Sequence, residues 1–469
     1  MAGIVSYGAY IPVFRLERKL MGKMWQMPSM PGERSVANMD EDSITMAVEA
    51  GLDCLKGVDP KTVDGLYFAT TTAPYSERQC AAVIADALDL GKEIIAADFT
   101  GSLRSATMAL RAACDAVKSG SAKNVLVVAA DRRMAEPENM MEQTLGDAAA
   151  AILIGRDNTV ADIAGMFTIT DDCSGAWRRD SDEYVRVFEG KVDGIYGYMG
   201  NMSTAVKGVL EETGTDAEGI DLAVFPAPDA RSNVGLGKKL GLGKEKIQDG
   251  LFMSVGHTGA PHMLLMLAAA FESVGGGKTV LCANFGDGAD SLLLKTTGAI
   301  KKLAPRRGVK LNLEQKRMLP GYGQYLQFRK VIDKERFVPN SSPVIYWRDR
   351  DRVVKMKGVK CGECGAVQYP PTVVCAICGK KAEFESLALA RTGKIHTFIL
   401  DHLVGGNYLT VPIPKCSISL DDGSRVFLDM TDCEPKEVCV EMAVELTFRL
   451  LHEGAKFENY YWKCRPPRG

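Results

Sequence analysis

Along the first 295 residues the hydrophobic pattern switches repeatedly between continuous apolar runs and runs with helical spacing. Gly65-Leu66-Tyr67-Phe68-Ala69, Asn124 to Ala129, Leu222 to Phe225 and Thr279 to Ala283 are short, nearly unbroken apolar stretches. They predict strands buried on both faces. Between them, residues 42–55, 79–88, 102–118, 202–212 and 263–274 repeat apolar side chains at the spacing of one helical face. This alternation predicts an α/β architecture. It also echoes itself: Leu145-Gly146-Asp147 running into Ala148–Ile154 resembles Phe285-Gly286-Asp287 running into Gly288–Leu294. The echo is read either as a duplicated fold or as two similar hairpins.

One stretch organises this region. The run Ile94-Ile95-Ala96-Ala97 leads into Asp98-Phe99-Thr100-Gly101-Ser102-Leu103-Arg104. Leu103, Ala106, Leu110, Ala113, Cys114 and Val117 then recur at helical spacing up to Gly120. A helix N-terminus opening beside a strand end aims backbone N–H groups and a positive dipole at whatever lies in front of it.

Composition narrows the class without naming a chemistry. The 469 residues suffice for two or three domains, and 57 basic against 59 acidic side chains leave a net charge of −2. That balance argues against a nucleic-acid or membrane surface as partner. No run approaches the roughly 18 apolar residues of a membrane span, and a cytoplasmic location is expected. The 13 cysteines are expected as free thiols apart from one cluster.

That cluster lies in the C-terminal third. Cys361-Gly362-Glu363-Cys364 and Cys375-Ala376-Ile377-Cys378 are two Cys-x-x-Cys knuckles ten residues apart. Four thiolates complete the tetrahedral shell that zinc prefers and leave no open position, so a structural zinc is expected, with a redox dithiol pair as the alternative. From Gly393 onward, five short alternating segments with a turn at Asp421-Asp422-Gly423-Ser424 predict a small all-β barrel of OB type. Residues 296–318, basic and interrupted by Gly298, Pro305 and Gly308, suit a surface connection.

Gly3 to Pro12, Val36 to Ala50, Trp177-Arg178-Arg179-Asp180 with Glu183-Tyr184, Tyr198, and Gly321 to Arg329 resemble, in order, motifs of archaeal-type 3-hydroxy-3-methylglutaryl-CoA synthases. The resemblance spans residues 3–335 and implies a duplicated thiolase fold of two βαβαβαββ halves, a CoA thioester as ligand or substrate, and a homodimer or a complex with a thiolase-superfamily partner. The C-terminal third resembles the zinc-ribbon/OB proteins that accompany such enzymes. The expected domains are 1–295 (thiolase-like, halves meeting near 160–170), 296–345 (connector with a helical segment), 346–382 (zinc ribbon) and 383–469 (OB-type).

The departures from that family carry the functional question. Its catalytic cysteine falls on Leu103, its general acid/base glutamate on Thr71 and its catalytic histidine on Pro226. Leucine forms no thioester, and neither threonine nor proline shuttles protons near neutral pH. Arg231 falls where the family carries a CoA-associated lysine. His257 replaces a substrate-binding asparagine and, within Gly256-His257, is similar to the thiolase branch, where that histidine activates the cysteine. His262 falls on a small polar position. Ser102 and Ser105 are the neighbouring hydroxyls, and Cys80 a neighbouring thiol, that substitute for the nucleophile in alternative readings, while Cys114, on the apolar face of the same helix, is expected in the core. Two functions stay open: an acyl-CoA enzyme acting at carbon–carbon bonds without a cysteine adduct, with His257 as its proton carrier, and a degenerate subunit that presents the zinc/OB module to an intact partner. Both histidines are equally read as satisfied by loop hydrogen bonds.

Overall fold

The computed structural model describes residues 2–469 apart from 174, 188, 333–340, 405–410 and 454–456. Two compact units divide the chain: Met1–Ala37, Asp42–Ala85 and Leu90–Tyr325 form the first, and Asn38–Glu41, Asp86–Asp89 and Leu326–Gly469 the second.

The first unit is built on a nine-stranded sheet whose strands are β1 (Gly3–Tyr10), β2 (Gly65–Ala69), β3 (Ile95–Phe99), β4 (Val125–Arg132), β5 (Asp147–Gly155), β6 (Ala161–Thr170), β7 (Leu222–Val224), β8 (Thr279–Phe285) and β9 (Gly288–Thr296). Their spatial order is β7-β8-β9-β6-β1-β5-β4-β2-β3. β1 and β6 pair at the centre. Outward from β1 come an antiparallel, an antiparallel and two parallel pairings. Outward from β6 the series repeats as antiparallel, antiparallel and parallel, then a single parallel bridge between Ala223 and Ile247. The chain is therefore a duplication, and the two Gly-Asp turns open the matched strands β5 and β9. The second half has traded its outermost strand for one bridge.

Helices α1 (Ser43–Cys54), α2 (Ser105–Ser119), α3 (Met202–Thr213) and α4 (His262–Ser273) flank the sheet. Ala106, Ala109, Leu110, Ala113, Cys114 and Val117 are all fully buried on α2. The alanine run Ala148–Ala151 keeps β5 thin enough for helices to pack closely. α2 ends where Gly120 takes φ +83°, a left-handed conformation glycine adopts at least cost. Leu103, expected on the helical face, instead lies in the turn before it, because the chain bends at Gly101 (φ +88°) and the helix starts only at Ser105. Ahead of α3, Asp193–Asn201 winds as a wide π-type helix that the apolar spacing did not indicate.

The expectation of a surface connection over 296–318 is corrected. A helix at Gly308–Glu314 is packed into the unit, with Val309 and Asn312 buried. Its entry is fixed by Asp53, whose carboxylate accepts from the N–H groups of Arg307 (2.7 Å) and Gly308 (3.0 Å), while the Arg307 guanidinium pairs with Glu49 at 3.3 Å. Basic composition misled because these partners lie some 250 residues away in sequence.

In the second unit, β10 (Thr392–Asp401), β11 (Ile413–Leu420), β12 (Arg425–Asp429), β13 (Ala443–Glu453) and β14 (Glu458–Arg465) form an antiparallel sheet in the order β12-β11-β10-β13-β14. A bridge between Met430 and Cys464 nearly closes it. Phe448, Tyr460 and Trp462 fill its interior. A separate three-stranded sheet, Val367–Gln368, Lys357–Cys361 and Phe384–Ala388, carries the cysteine knuckles.

Candidate functional site

Three loops converge at the ends of β2 and β4, and one buried carboxylate ties them together. Asp131, near the end of β4, has no exposed surface. It accepts from the Thr71 N–H (2.6 Å), from the hydroxyls of Thr70, Thr71 and Thr72 (2.9, 2.9 and 3.0 Å), and from the Ala260 N–H (2.8 Å). Thr71 thus has its hydroxyl committed to a carboxylate one layer further in. The Ala260 contact fixes the loop that carries His257. In that loop Gly259 has φ +81°, and a Cβ there would collide with the Asp131 carboxylate and stand 2.7 Å from Arg133 Cδ.

Two cavities adjoin at Leu103 and Arg133, which line both. The first, about 370 Å³, is walled by Thr71, Ser102, Arg132 and Arg178 among others. The second, about 290 Å³, is walled by Pro226, Tyr198, Asn284, Phe285 and His257. Asn284 donates from its amide to the Leu103 carbonyl at 3.2 Å, and Gly286 sits so close to Leu103 that a Cβ there would lie 3.1 Å from the leucine Cβ. The fold therefore gathers Thr71, Leu103, Pro226 and His257, far apart in sequence, around one place.

His257 and His262 stack with ring centroids 4.7 Å apart, yet their surroundings differ. His262 is 1% exposed. Its Nδ1 accepts from the Thr258 N–H at 3.2 Å and its Nε2 lies 3.1 Å from the Gly250 carbonyl, so both nitrogens are bonded to backbone. Burial lowers its pKa to about 4. His257 Nδ1 accepts from the Gly259 N–H at 3.2 Å, which puts the proton of the neutral ring on Nε2. Burial first, then His262 and Arg133, hold its pKa well below the usual histidine value. Both rings stay neutral in the folded chain at pH 6.5, where an exposed histidine is half protonated.

The linkage has a definite sign. A histidine whose folded pKa is depressed binds its proton first in the unfolded chain, so stability is lost as pH falls below about 6.5. For His262 the loss is expected to approach about 1.4 kcal/mol per pH unit between roughly pH 6 and 4. Urea midpoints measured across that range should fall less steeply in His262→Gln. Equal slopes would assign the acid sensitivity to other groups.

The remaining sequence candidates take plain positions. Ser102 lines the first cavity, its Oγ accepting from the Arg104 N–H at 3.3 Å, and among the described residues no hydrogen bond joins it to His257. Ser105 is buried on α2. Cys80 and Cys114 are buried, and desolvation pushes both thiols up to about 12, which keeps them protonated and unsuited to attack. Arg231 is exposed before the helix Ser232–Lys239, its own N–H donated to Asp229 at 2.7 Å, and it lines neither cavity. Sequence reasoning missed Asp131 and Arg133. The signal was there: Asp131-Arg132-Arg133 places three charges directly after a buried apolar strand.

In the second unit the four sulfurs of Cys361, Cys364, Cys375 and Cys378 lie within 4.8 Å of one another. Cys361–Cys378 is 4.0 Å and Cys364–Cys375 3.6 Å. A tetrahedral zinc with bonds of about 2.3 Å sets its sulfurs about 3.8 Å apart, so the donor set fits that ion. Backbone N–H groups of Cys378 and Ile377 draw the Cys375 pKa down to about 6, toward the thiolate a metal requires.

The duplicated sheet, the paired central helices and a cavity at the head of α2 define a thiolase-like fold. Residues 97–172 match the family model of 3-oxoacyl-[acyl-carrier-protein] synthase III. The chain is 32% identical over 339 residues to hydroxymethylglutaryl-CoA synthase of Pyrococcus horikoshii, covering 71% of this chain and 93% of that protein. The Methanocaldococcus jannaschii hydroxymethylglutaryl-CoA synthase is 31% identical, with 71% and 99% covered. A crystal structure of an HMG-CoA synthase complexed with CoA superposes with a TM-score of 0.64 at 17% identity, covering 72% of this chain and 92% of that one. The chain belongs to the hydroxymethylglutaryl-CoA synthase family.

Proposed function

We propose that this chain binds a CoA thioester at the two adjoining cavities and acts on a carbon–carbon bond of its acyl group without a covalent cysteine adduct. The observation that carries this reading is His257: a neutral imidazole lining a cavity beside Leu103, with no side-chain hydrogen-bond partner on its protonated Nε2 among the described residues. Such a group donates a hydrogen bond to a thioester or ketone oxygen as negative charge develops there. Its depressed pKa makes it a donor to oxygen in preference to a general base. Arg231, exposed at the surface and falling where the resembling family carries a CoA-associated lysine, is the proposed cation for CoA phosphates. Ser102 and His262 are weaker candidates for catalysis, Ser102 for want of a base beside it and His262 because backbone occupies both its nitrogens.

A second reading has its own support. Thr71, Leu103 and Pro226 surround the cavities with side chains that neither attack a thioester nor carry a proton, which favours a degenerate subunit pairing with an intact thiolase or synthase. The proposed architecture around either function is a four-thiolate structural zinc in a ribbon at 346–382, an OB-type domain at 383–469, and a cytoplasmic oligomer. The edge strand β3 ends the sheet with Ile95 45% exposed, which suits pairing with another subunit.

The test uses the full chain. Titration with CoA, acetyl-CoA and acetoacetyl-CoA is expected to show binding, and condensation or cleavage to fall about 100-fold or more in His257→Ala. Binding without turnover, with a thiolase retained through purification, would replace the enzyme by the subunit. No binding of any CoA compound would end the enzyme reading.

A further inference from the structure

The cavity of about 290 Å³ differs in kind from the one beside it. Arg132 and Arg178 stand on the wall of the larger cavity, whereas Leu103, Met141, Leu145, Pro226, Tyr198 and Phe285 give the smaller one a wall that is mostly apolar. Leu103 and Pro226 fall where the family carries its cysteine and histidine, so the exchange of reactive for apolar side chains lies on this wall. The rings of Tyr198 and Phe285 meet edge to face, with centroids 6.1 Å apart and an interplanar angle of 88°. An apolar cavity of about 150 Å³ already accommodates benzene. The space here therefore takes a phenyl ring together with the first atoms of a chain.

Most polar groups on the same wall are bonded within the protein. Asn284 donates to the Leu103 carbonyl, the Thr144 hydroxyl to the Met141 carbonyl, and Asp229 accepts from two N–H groups and the Ser232 hydroxyl. Arg133 has the Asp131 charge beside it. Two buried atoms are left without a partner among the described residues. One is Asp193 Oδ2, on a carboxyl that burial pushes toward its uncharged form. The other is the hydroxyl of Tyr198, a residue 2% exposed. An unpartnered buried hydroxyl is costly unless a ligand completes it.

Resting on the acyl-CoA reading above, we infer that this cavity seats an aryl group, so that the preferred ligand is the CoA thioester of an acid bearing an aromatic ring and an oxygen on its third carbon. The ring packs against Tyr198 and Phe285, with Leu103 and Pro226 completing an apolar seat. The Tyr198 phenol is the donor for the third-carbon oxygen, and His257 is left the thioester oxygen. Chemistry at the bond between the second and third carbons needs an oxygen on the third, which joins this ligand to the reaction class proposed above. An acetyl or acetoacetyl group fills little of the cavity and leaves its apolar wall against water. An alkyl chain covers that wall but loses rotamer freedom on binding, which a rigid ring does not.

Calorimetric titration of the full chain with benzoylacetyl-CoA, 3-oxohexanoyl-CoA and acetoacetyl-CoA tests the inference. The three share the 3-oxo thioester and end in a phenyl, a propyl and a methyl group. The wild type is expected to bind the phenyl compound at least about tenfold more tightly than the methyl one, with the propyl compound between them. Phe285→Leu keeps the wall apolar and is expected to erase the margin of phenyl over propyl. Tyr198→Phe is expected to weaken all three by a similar factor, about fivefold, since all carry the third-carbon oxygen. Equal affinities for the phenyl and methyl compounds in the wild type overturn the inference, and this comparison needs no variant to fold. A propyl compound that binds as tightly as the phenyl one overturns the aryl assignment. Wild-type affinities in folded Tyr198→Phe overturn the role of Tyr198. If acetoacetyl-CoA binds and the ring adds nothing, the acyl-CoA reading stands and only this inference fails. If no CoA compound binds, the acyl-CoA reading falls and takes this inference with it.

Discussion

Replacing Asp131 by alanine is expected to destabilise the first unit by about 3–5 kcal/mol, more than any other single change around the cavities. The hydroxyls of Thr71 and Thr72, only partly buried, can turn toward water when the carboxylate is removed. The N–H groups of Thr71 and Ala260 cannot, because the backbone fixes their direction, and the Ala260 contact is fully buried. Each stranded donor costs about 1–3 kcal/mol, and the cavity left behind adds to it. Asp131→Asn keeps one acceptor oxygen but turns an NH2 toward groups that are themselves donors, so it should fall between alanine and wild type. Denaturant unfolding followed by fluorescence checks this, read on the transition of the first unit alone since two units need not unfold together. An unchanged midpoint in Asp131→Ala would show that the network merely decorates a loop arrangement held by other contacts. Because Asp131 also holds the His257 loop, any activity should be lost in Asp131→Ala before the fold is.

Removing the metal that the cysteine cluster is proposed to hold is expected to have an effect as large, confined to the three-stranded sheet that carries it. Cys361 and Cys375 are buried, but Val373, Val374 and Ile377 around the knuckles are exposed at 76, 47 and 75%. A segment that turns its apolar side chains outward has little core, and its order then depends on the ion. Structural zinc in isolated finger peptides contributes roughly 10–16 kcal/mol at neutral pH, far more than so small a core supplies. The purified protein is therefore expected to hold one zinc per chain by mass spectrometry. Chelation, or Cys375→Ser, should abolish hydrogen-exchange protection over residues 357–388 and leave that of β1 and β5 intact. Protein that carries no metal even when zinc is supplied, or an apo ribbon that stays protected, would exclude a structural metal.

What could be read in advance follows from how local each signal is. The apolar runs of β4 and β5 and the helical spacing of α2 are local, and they appear where the sequence placed them. The four cysteines were legible because knuckle spacing alone brings two sulfurs to one ion. The packed helix at Gly308–Glu314 was not, because its entry is held by Asp53, which takes its first N–H groups, and by Glu49, which pairs with Arg307, both some 250 residues away in sequence. Nor was the wide form of the helix Asp193–Asn201, since π-type turns have no simple apolar period, although Tyr198 within it carried part of the resemblance.

The candidate site divides in the same way. The sequence by itself determined the α/β class and the four-cysteine cluster, and its resemblance implied the duplication and marked Thr71, Leu103, Pro226 and His257 as one set. It also determined that the first three cannot perform cysteine-based acyl transfer, since that follows from side-chain chemistry alone. Only the tertiary structure decided that His257 keeps its proton on Nε2 while His262 spends both nitrogens on backbone. It alone decided that Asp131 gathers five donors and that Arg133 is buried on a cavity wall with the Asp131 charge beside it. The physical reason is that these bonds are set by how the loops are folded and not by an apolar period: the histidines bond backbone 2 to 12 residues away, and Asp131 joins threonines about 60 residues off to Ala260, 129 residues off.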